Sequence, residues 1–321
     1  NNIRLTIAGP LGSLVRASRR NSAAVPAVVT VIVPGGAAER FDIQLSPRGF
    51  SRRTGGFCTF PPLRLDFAGD AVRGTEMRGQ NKLKLVTRCR PGASYEQLNV
   101  LEYTAYRLYN EITPLSFRVR PARVTYRDTD RNRREDTQFN FLIEDDSDMA
   151  RRNGRLVPLQ VPTGEVRSSQ LDPEATAVYT LFQYMIGNLD WYAVNGHPGD
   201  DCCHNSKFVA ATAETRTNVR PVPYDFDFSG FVNAPYATPP EGIELPNIRT
   251  RLYRGYCRYN DQLPAAIALF QSRRAAILAV VDNETRLTDA SRRYARGYLE
   301  GFFDIIDDPD RVQRALIDRC R

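Results

Sequence analysis

The chain is poor in lysine. Only three of its 44 basic residues are lysines, Lys82, Lys84 and Lys207. It also has only two histidines, one tryptophan and three methionines. No apolar run approaches the roughly 18 residues of a membrane-spanning helix, so no such span is expected. None of the six cysteines forms a C-x-x-C pair, which argues against a zinc ribbon or a thioredoxin-type site. There is no G-x-G-x-x-G loop and no internal repeat. The chain opens on Asn1 without Met and without a signal-like segment, and is read as a processed or trimmed form.

With 321 residues, 42% of them hydrophobic, the sequence suits one large or two medium globular domains. The net charge of +7 favours acidic partners such as nucleotides. Nucleic acid is disfavoured, because the arginines are interleaved with acids, as in R-D-T-D-R-N-R-R-E-D. An even cysteine count in such a chain fits an exported, oxidised protein. The cluster His197, Cys202, Cys203 and His204 contains soft-metal ligand types, but adjacent cysteines rarely serve as a structural zinc pair.

The first third reads as β structure. Runs at 3–8, 27–33, 40–45, 63–67 and 82–87 are short, apolar or alternating, and are separated by Gly, Pro and Ser. In the last, Q-N-K-L-K-L-V-T, Lys82 and Lys84 share one face and Leu83 and Leu85 the other. A helix is expected over 95–112, with Ser94 and Gln97 as a capping box, and Glu102 lies at the edge of its apolar stripe. Strands are expected at 117–126 and 139–144. The second half turns helical. Asp172-Pro173 opens one helix, and others are expected at 262–281, 289–306 and 311–320. The expected fold is α+β, a two-lobed protein-kinase-like arrangement. A β-rich N-lobe with one helix covers 1–145, and a mainly helical C-lobe covers 146–321.

The chemistry concentrates between residues 186 and 230. I-G-N-L-D-W-Y places Asp190 just past an apolar helix. H-N-S-K-F places Asn205 just ahead of a short strand at 206–211. P-V-P-Y-D-F-D-F-S-G then supplies Asp225 and Asp227. Kinase-like phosphotransferases use such an order: one Asp meets the attacking hydroxyl, while an Asn and a second Asp hold magnesium. Asp225 and Asp227 are expected to alternate on a strand, where two bare carboxylates on one face call for a cation. Asn195 lies five residues after Asp190, as in H-R-D-x-x-x-x-N kinases, and Asn205 fifteen after. Both are candidates for the metal Asn, with Asn205 favoured because it runs directly into a strand. His204 is read as orienting the Asp190 loop.

These residues resemble the spore-coat protein H (CotH) family of atypical kinases. They also resemble a related group of exported bacterial proteins carrying Q-x-K-L-K-L-V-T-x-C and P-V-P-Y-D-F-D-F-S-G. The resemblance covers roughly residues 40 to 235. Its R-G-x-S segment is Arg48-Gly49-Phe50-Ser51, its N-x-D segment is Asn188 to Asp190 with Asn205 later, and its W-D-x-D segment is Tyr224-Asp225-Phe226-Asp227. It implies a kinase-like fold with ATP between the lobes, Mg²⁺ or Mn²⁺, and phosphorylation of Ser or Thr in a protein substrate. Lys84, partnered by Glu102, is the favoured phosphate-contacting lysine, with Lys82 the alternative. Arg48, Ser51 and Arg52 are expected to cover the phosphates. Asn205, Asp225 and Asp227 are the expected metal ligands and Asp190 the catalytic carboxylate.

In the family, lysines follow R-G-x-S directly, whereas this chain has Phe60-Pro61-Pro62-Leu63-Arg64 there. The rival readings are a catalytically inactive binding or adhesion module on the same fold, and an AMP transferase using the same site. A monomer is expected. Cys58 and Cys89 each lie near a predicted strand end, and related exported proteins carry a Cys at both places, so a Cys58–Cys89 disulfide is expected.

Overall fold

A computed structural model describes residues 3–32, 35–130, 135–196 and 201–321. It is an α+β protein with an N-terminal seven-strand closed barrel followed by a helical C-terminal part. The chain divides into two compact units. One comprises Asn1–Tyr103 and Arg118–Asp145, the other Thr104–Phe117 and Asp146–Arg321.

In the first unit β1 (Ile3–Gly9) leads to α1 (Leu11–Ser18), β2 (Val25–Ile32) and β3 (Ala38–Pro47). A short turn of helix, α2 (Ser51–Thr54), precedes β4 (Leu63–Phe67) and β5 (Lys82–Val86). Helix α3 (Ala93–Ile112) then leads to β6 (Val119–Asp128) and β7 (Asp136–Ile143). The strand order is β1-β2-β3-β4-β5-β7-β6, closed by parallel pairing of β1 with β6. Closure leaves no free sheet edge in the barrel. Alternating residues such as Ile3, Leu5 and Ile7 of β1, and Leu83 and Leu85 of β5, fill the interior. Lys82 is exposed and Lys84 half-buried on the opposite face, as the period-two pattern of this strand predicts.

Helix α1 falls outside the expected elements. It is eight residues long, contains Gly12, and buries only Leu11, Leu14 and Ser18, too short a repeat to stand out. The strand expected at 27–33 is observed as β2, and Val33 lies outside the described residues.

The second unit contains α4 (Asp146–Arg152), β8 (Val157–Leu159), β9 (Val161–Pro162), α5 (Pro173–Met185), β10 (Asp201–Cys202), β11 (Ser206–Ala210) and β12 (Arg220–Pro223). Helices α6 (Leu263–Ser272), α7 (Arg274–Asp282), α8 (Asp289–Ile306) and α9 (Pro309–Ala315) follow. Asp172 caps α5, accepting from the Ala175 N–H at 2.9 Å, with Pro173 as its first residue. Strands β12, β11 and β8 form a sheet in that order. Pro221 and Pro223 are tolerated on β12 because it lies at the edge.

The single helix expected at 262–281 is two helices meeting at 49°. Arg273 leaves the helical region between them, within the polar run Gln271-Ser272-Arg273-Arg274. Among the described residues no single helix is long and apolar enough to cross a membrane, although this bent pair passes on length and composition when taken together.

The six cysteines form three disulfides: Cys58–Cys89, Cys202–Cys203 and Cys257–Cys320. The expected first bridge is present. The Cys202–Cys203 bond joins the two thiols of the metal cluster considered above, whose fourth member, His197, lies outside the described residues.

Candidate functional site

The site in the second unit is built by the turn after α5 and by the ends of β11 and β12. Helix α5 stops at Gly187, whose φ of +61° suits a residue without a Cβ. A polar chain then fixes the loop. Gln183 Oε1 accepts from Asn188 Nδ2 at 3.0 Å, and Asn188 Oδ1 accepts from the Asp190 N–H at 3.0 Å. Trp191 Nε1 donates to the Asn188 carbonyl at 2.9 Å. The buried Arg254 guanidinium donates to the Leu189 and Trp191 carbonyls and lies over the Trp191 and Tyr192 rings, clamping both sides of Asp190. Nothing in the sequence pattern singled out Arg254.

Asp190 is held through both carboxylate oxygens. Its Oδ1 lies 2.7 Å from His204 Nε2. Its Oδ2 accepts from Asn205 Nδ2 at 2.9 Å, and the same amide donates to the Asp190 carbonyl at 2.7 Å. Burial pulls the His204 pKa down, but the hydrogen bond and charge of Asp190, with the charge of Asp225, outweigh it and raise the pKa above 6.5. Asn205 adopts a left-handed φ of +49°, which Asn tolerates better than most residues. Asn195 is exposed, and its carbonyl accepts the His204 N–H at 2.9 Å.

The antiparallel register Ser206↔Pro223 brings the start of β11 and the end of β12 together, and the Tyr224 N–H donates to the Asn205 carbonyl at 3.2 Å. Asp225 therefore follows at the same end of the sheet as Asn205. Its backbone departs from the expected strand. β12 ends at Pro223 and Asp225 has a φ of +63°, so Asp225 and Asp227 do not alternate on one strand face.

Tyr106 of α3 fixes this turn. Its hydroxyl oxygen accepts the Asp225 N–H at 2.8 Å, and its ring lies 4.5 Å from that of the fully buried Phe226. Asp227 is buried, and its Oδ2 accepts from the Tyr236 hydroxyl at 3.1 Å. The Asp225 carboxylate and the Asn205 Oδ1 accept no hydrogen bond among the described residues. They are hard oxygen donors of the kind a divalent cation takes. Among the described residues no group of three or more His, Cys, Asp and Glu side chains is arranged for a metal.

In the first unit, Glu102 is buried on α3, and Arg52 Nη1 lies 3.7 Å from its Oε2. Arg52 is also buried and donates to the Thr87 carbonyl. Arg48 follows β3, with its N–H on the Pro62 carbonyl at 2.8 Å, and Ser51 is exposed at the start of α2.

Comparison with known proteins finds no matching family model and no matching curated protein.

Proposed function

We propose that the chain is an exported, CotH-like atypical kinase that transfers phosphate from ATP to Ser or Thr hydroxyls of a protein, its own included. The observation that carries the reading is the end of the β11–β12 pair. There Asn205 and Asp225 offer oxygens without internal partners, while the Asn205 amide holds Asp190. A β-rich unit with a lysine strand and a following helix bearing a buried Glu, ahead of an Asp–Asn–Asp series, is the arrangement that protein kinases use. Three disulfides agree with an oxidising compartment.

Each oxygen of Asp190 accepts one internal bond and keeps a second lone pair for a substrate hydroxyl. Asp190 orients that hydroxyl or takes its proton. His204 and Asn205 fix the carboxylate plane, and Arg254 fixes the backbone on both sides of it. Lys84 contacts the nucleotide phosphates as a compact point charge. Asn205 and Asp225 would hold a Mg²⁺ or Mn²⁺ ion, which would neutralise phosphate charge when bound. Asp227, already engaged by Tyr236, supports the turn that carries Asp225.

Incubation with labelled ATP and Mn²⁺, followed by intact mass of the chain and of a generic acceptor protein, tests the reading. A phosphate increment is expected. An AMP increment would indicate nucleotidyl transfer. No label together with no nucleotide-dependent thermal stabilisation would indicate a binding module.

A further inference from the structure

The first unit holds a cavity of about 450 Å³ that plays no part in the proposed phosphotransfer. Its size falls in the range of small-molecule sites, about 300–1,000 Å³. One wall is apolar, made by Leu11 and Val15 of α1 and by the rings of Phe60 and Tyr126, which meet edge-on at 4.9 Å. The lining also includes Arg16, on the same helix, and Arg90.

The Cys58–Cys89 bridge assembles this cavity. It ties the 59–60 segment to the 88–91 segment, and the Thr59 N–H donates to the Cys89 carbonyl at 2.9 Å. Arg90 Nε donates to the Phe57 carbonyl, which anchors its side chain at the rim.

The local charges are unevenly satisfied. Arg88 is neutralised by Asp136 at 3.1 Å and Glu96 at 3.7 Å. The Asp128 carboxylate accepts the Gly12 and Asp130 N–H groups, each at 3.1 Å. Arg16 and Arg90 meet only neutral acceptors, the Ser13 hydroxyl and the Phe57 carbonyl, and form no ion pair among the described residues. Tyr126 is buried.

We infer that this cavity binds a small amphipathic organic anion, with its apolar body against Leu11, Val15, Phe60 and Tyr126. Its carboxylate or sulfonate is held by Arg16 and Arg90.

The test is titration of the full chain with anilinonaphthalene sulfonate, followed by fluorescence, with decanoate as the competitor. The expected result is saturable binding at one site, displaced by decanoate if aliphatic anions are taken and undisplaced if the site prefers aromatic ones. Arg16 and Arg90 are exposed, so the double variant R16Q/R90Q is expected to fold and to bind at least about tenfold more weakly. Val15→Trp, which fills the cavity, is expected to abolish binding, with an unchanged melting temperature as the fold check. Phe50→Ala removes the one large hydrophobic side chain that is exposed among the described residues and is expected to leave binding unchanged. Non-saturable binding, equal affinity in R16Q/R90Q, or loss of binding in Phe50→Ala overturns the inference.

Discussion

Asn205→Ala perturbs the centre of the candidate site in a way that can be estimated from its bonds. The Asn205 amide makes two hydrogen bonds, one to the Asp190 carboxylate at 2.9 Å and one to its carbonyl at 2.7 Å. A bond to a charged group contributes about 1.5–3 kcal/mol and a neutral one about 0.5–1.5 kcal/mol. Asn205 is buried and Asp190 only partly exposed, so solvent replaces these bonds poorly. Alanine at a φ of +49° adds about 1 kcal/mol of backbone cost. The sum is about 3–5 kcal/mol. Asn205→Gly loses the same two bonds but not the backbone term, so it should be more stable than Asn205→Ala by about 1 kcal/mol, offset in part by glycine's greater unfolded-state freedom. The assay is urea unfolding followed by tryptophan fluorescence. The single tryptophan, Trp191, is buried beside Asp190 and bonded to Asn188, so its signal reports this loop. A cost below about 1 kcal/mol for Asn205→Ala would refute the claim that this amide organises Asp190, and no advantage for glycine would refute the backbone cost assigned to the left-handed φ.

Non-reducing peptide mapping should recover Cys58–Cys89 and Cys257–Cys320 as linked peptides. Replacing Cys58 and Cys89 by Ser should cost about 3–5 kcal/mol in the chain-entropy account for a separation of 31 residues. The His204–Asp190 pair should stabilise the loop fully below pH 6.5, with that contribution lost as pH rises through the raised folded pKa of His204. His204→Gln should flatten this dependence in the Trp191 signal. Arg52→Met should destabilise the first unit by on the order of 3 kcal/mol, because it removes a counter-charge from the buried Glu102; an unchanged melting temperature would show the pair to be incidental.

Much of the β architecture is legible from local pattern. K-L-K-L-V alternates with period two, and Leu83 and Leu85 point inward as that period requires. Asp172-Pro173 announces α5 because capping and proline at the first turn are local chemistry. Asp190 and Asn205 are fifteen residues apart yet in contact, an arrangement suggested by their order relative to a helix and a strand. Other features depend on tertiary partners. Y-D-F-D alternates polar and apolar residues like a strand, but the burial of Phe226 and the Tyr106 hydroxyl hold Asp225 in a left-handed turn. Tyr106 lies one turn after Glu102 in α3 and carries no sequence mark of its role. Arg254 reaches the Asp190 loop from more than sixty residues away, a contact that no local pattern encodes.

The central claim is that Asn205 and Asp225 hold a divalent cation for ATP, and calorimetric titration of ATP with and without Mn²⁺ tests it most directly. Asp225→Asn is the informative variant, since Asn tolerates the left-handed φ of +63° while removing the charge. The account predicts Mn²⁺-dependent ATP binding in the wild-type chain and its loss in Asp225→Asn. It also predicts retained binding in Asp190→Asn, with transfer reduced by about two or more orders of magnitude. Equal ATP affinity with and without Mn²⁺ in the wild type, or unchanged affinity in Asp225→Asn, would contradict it.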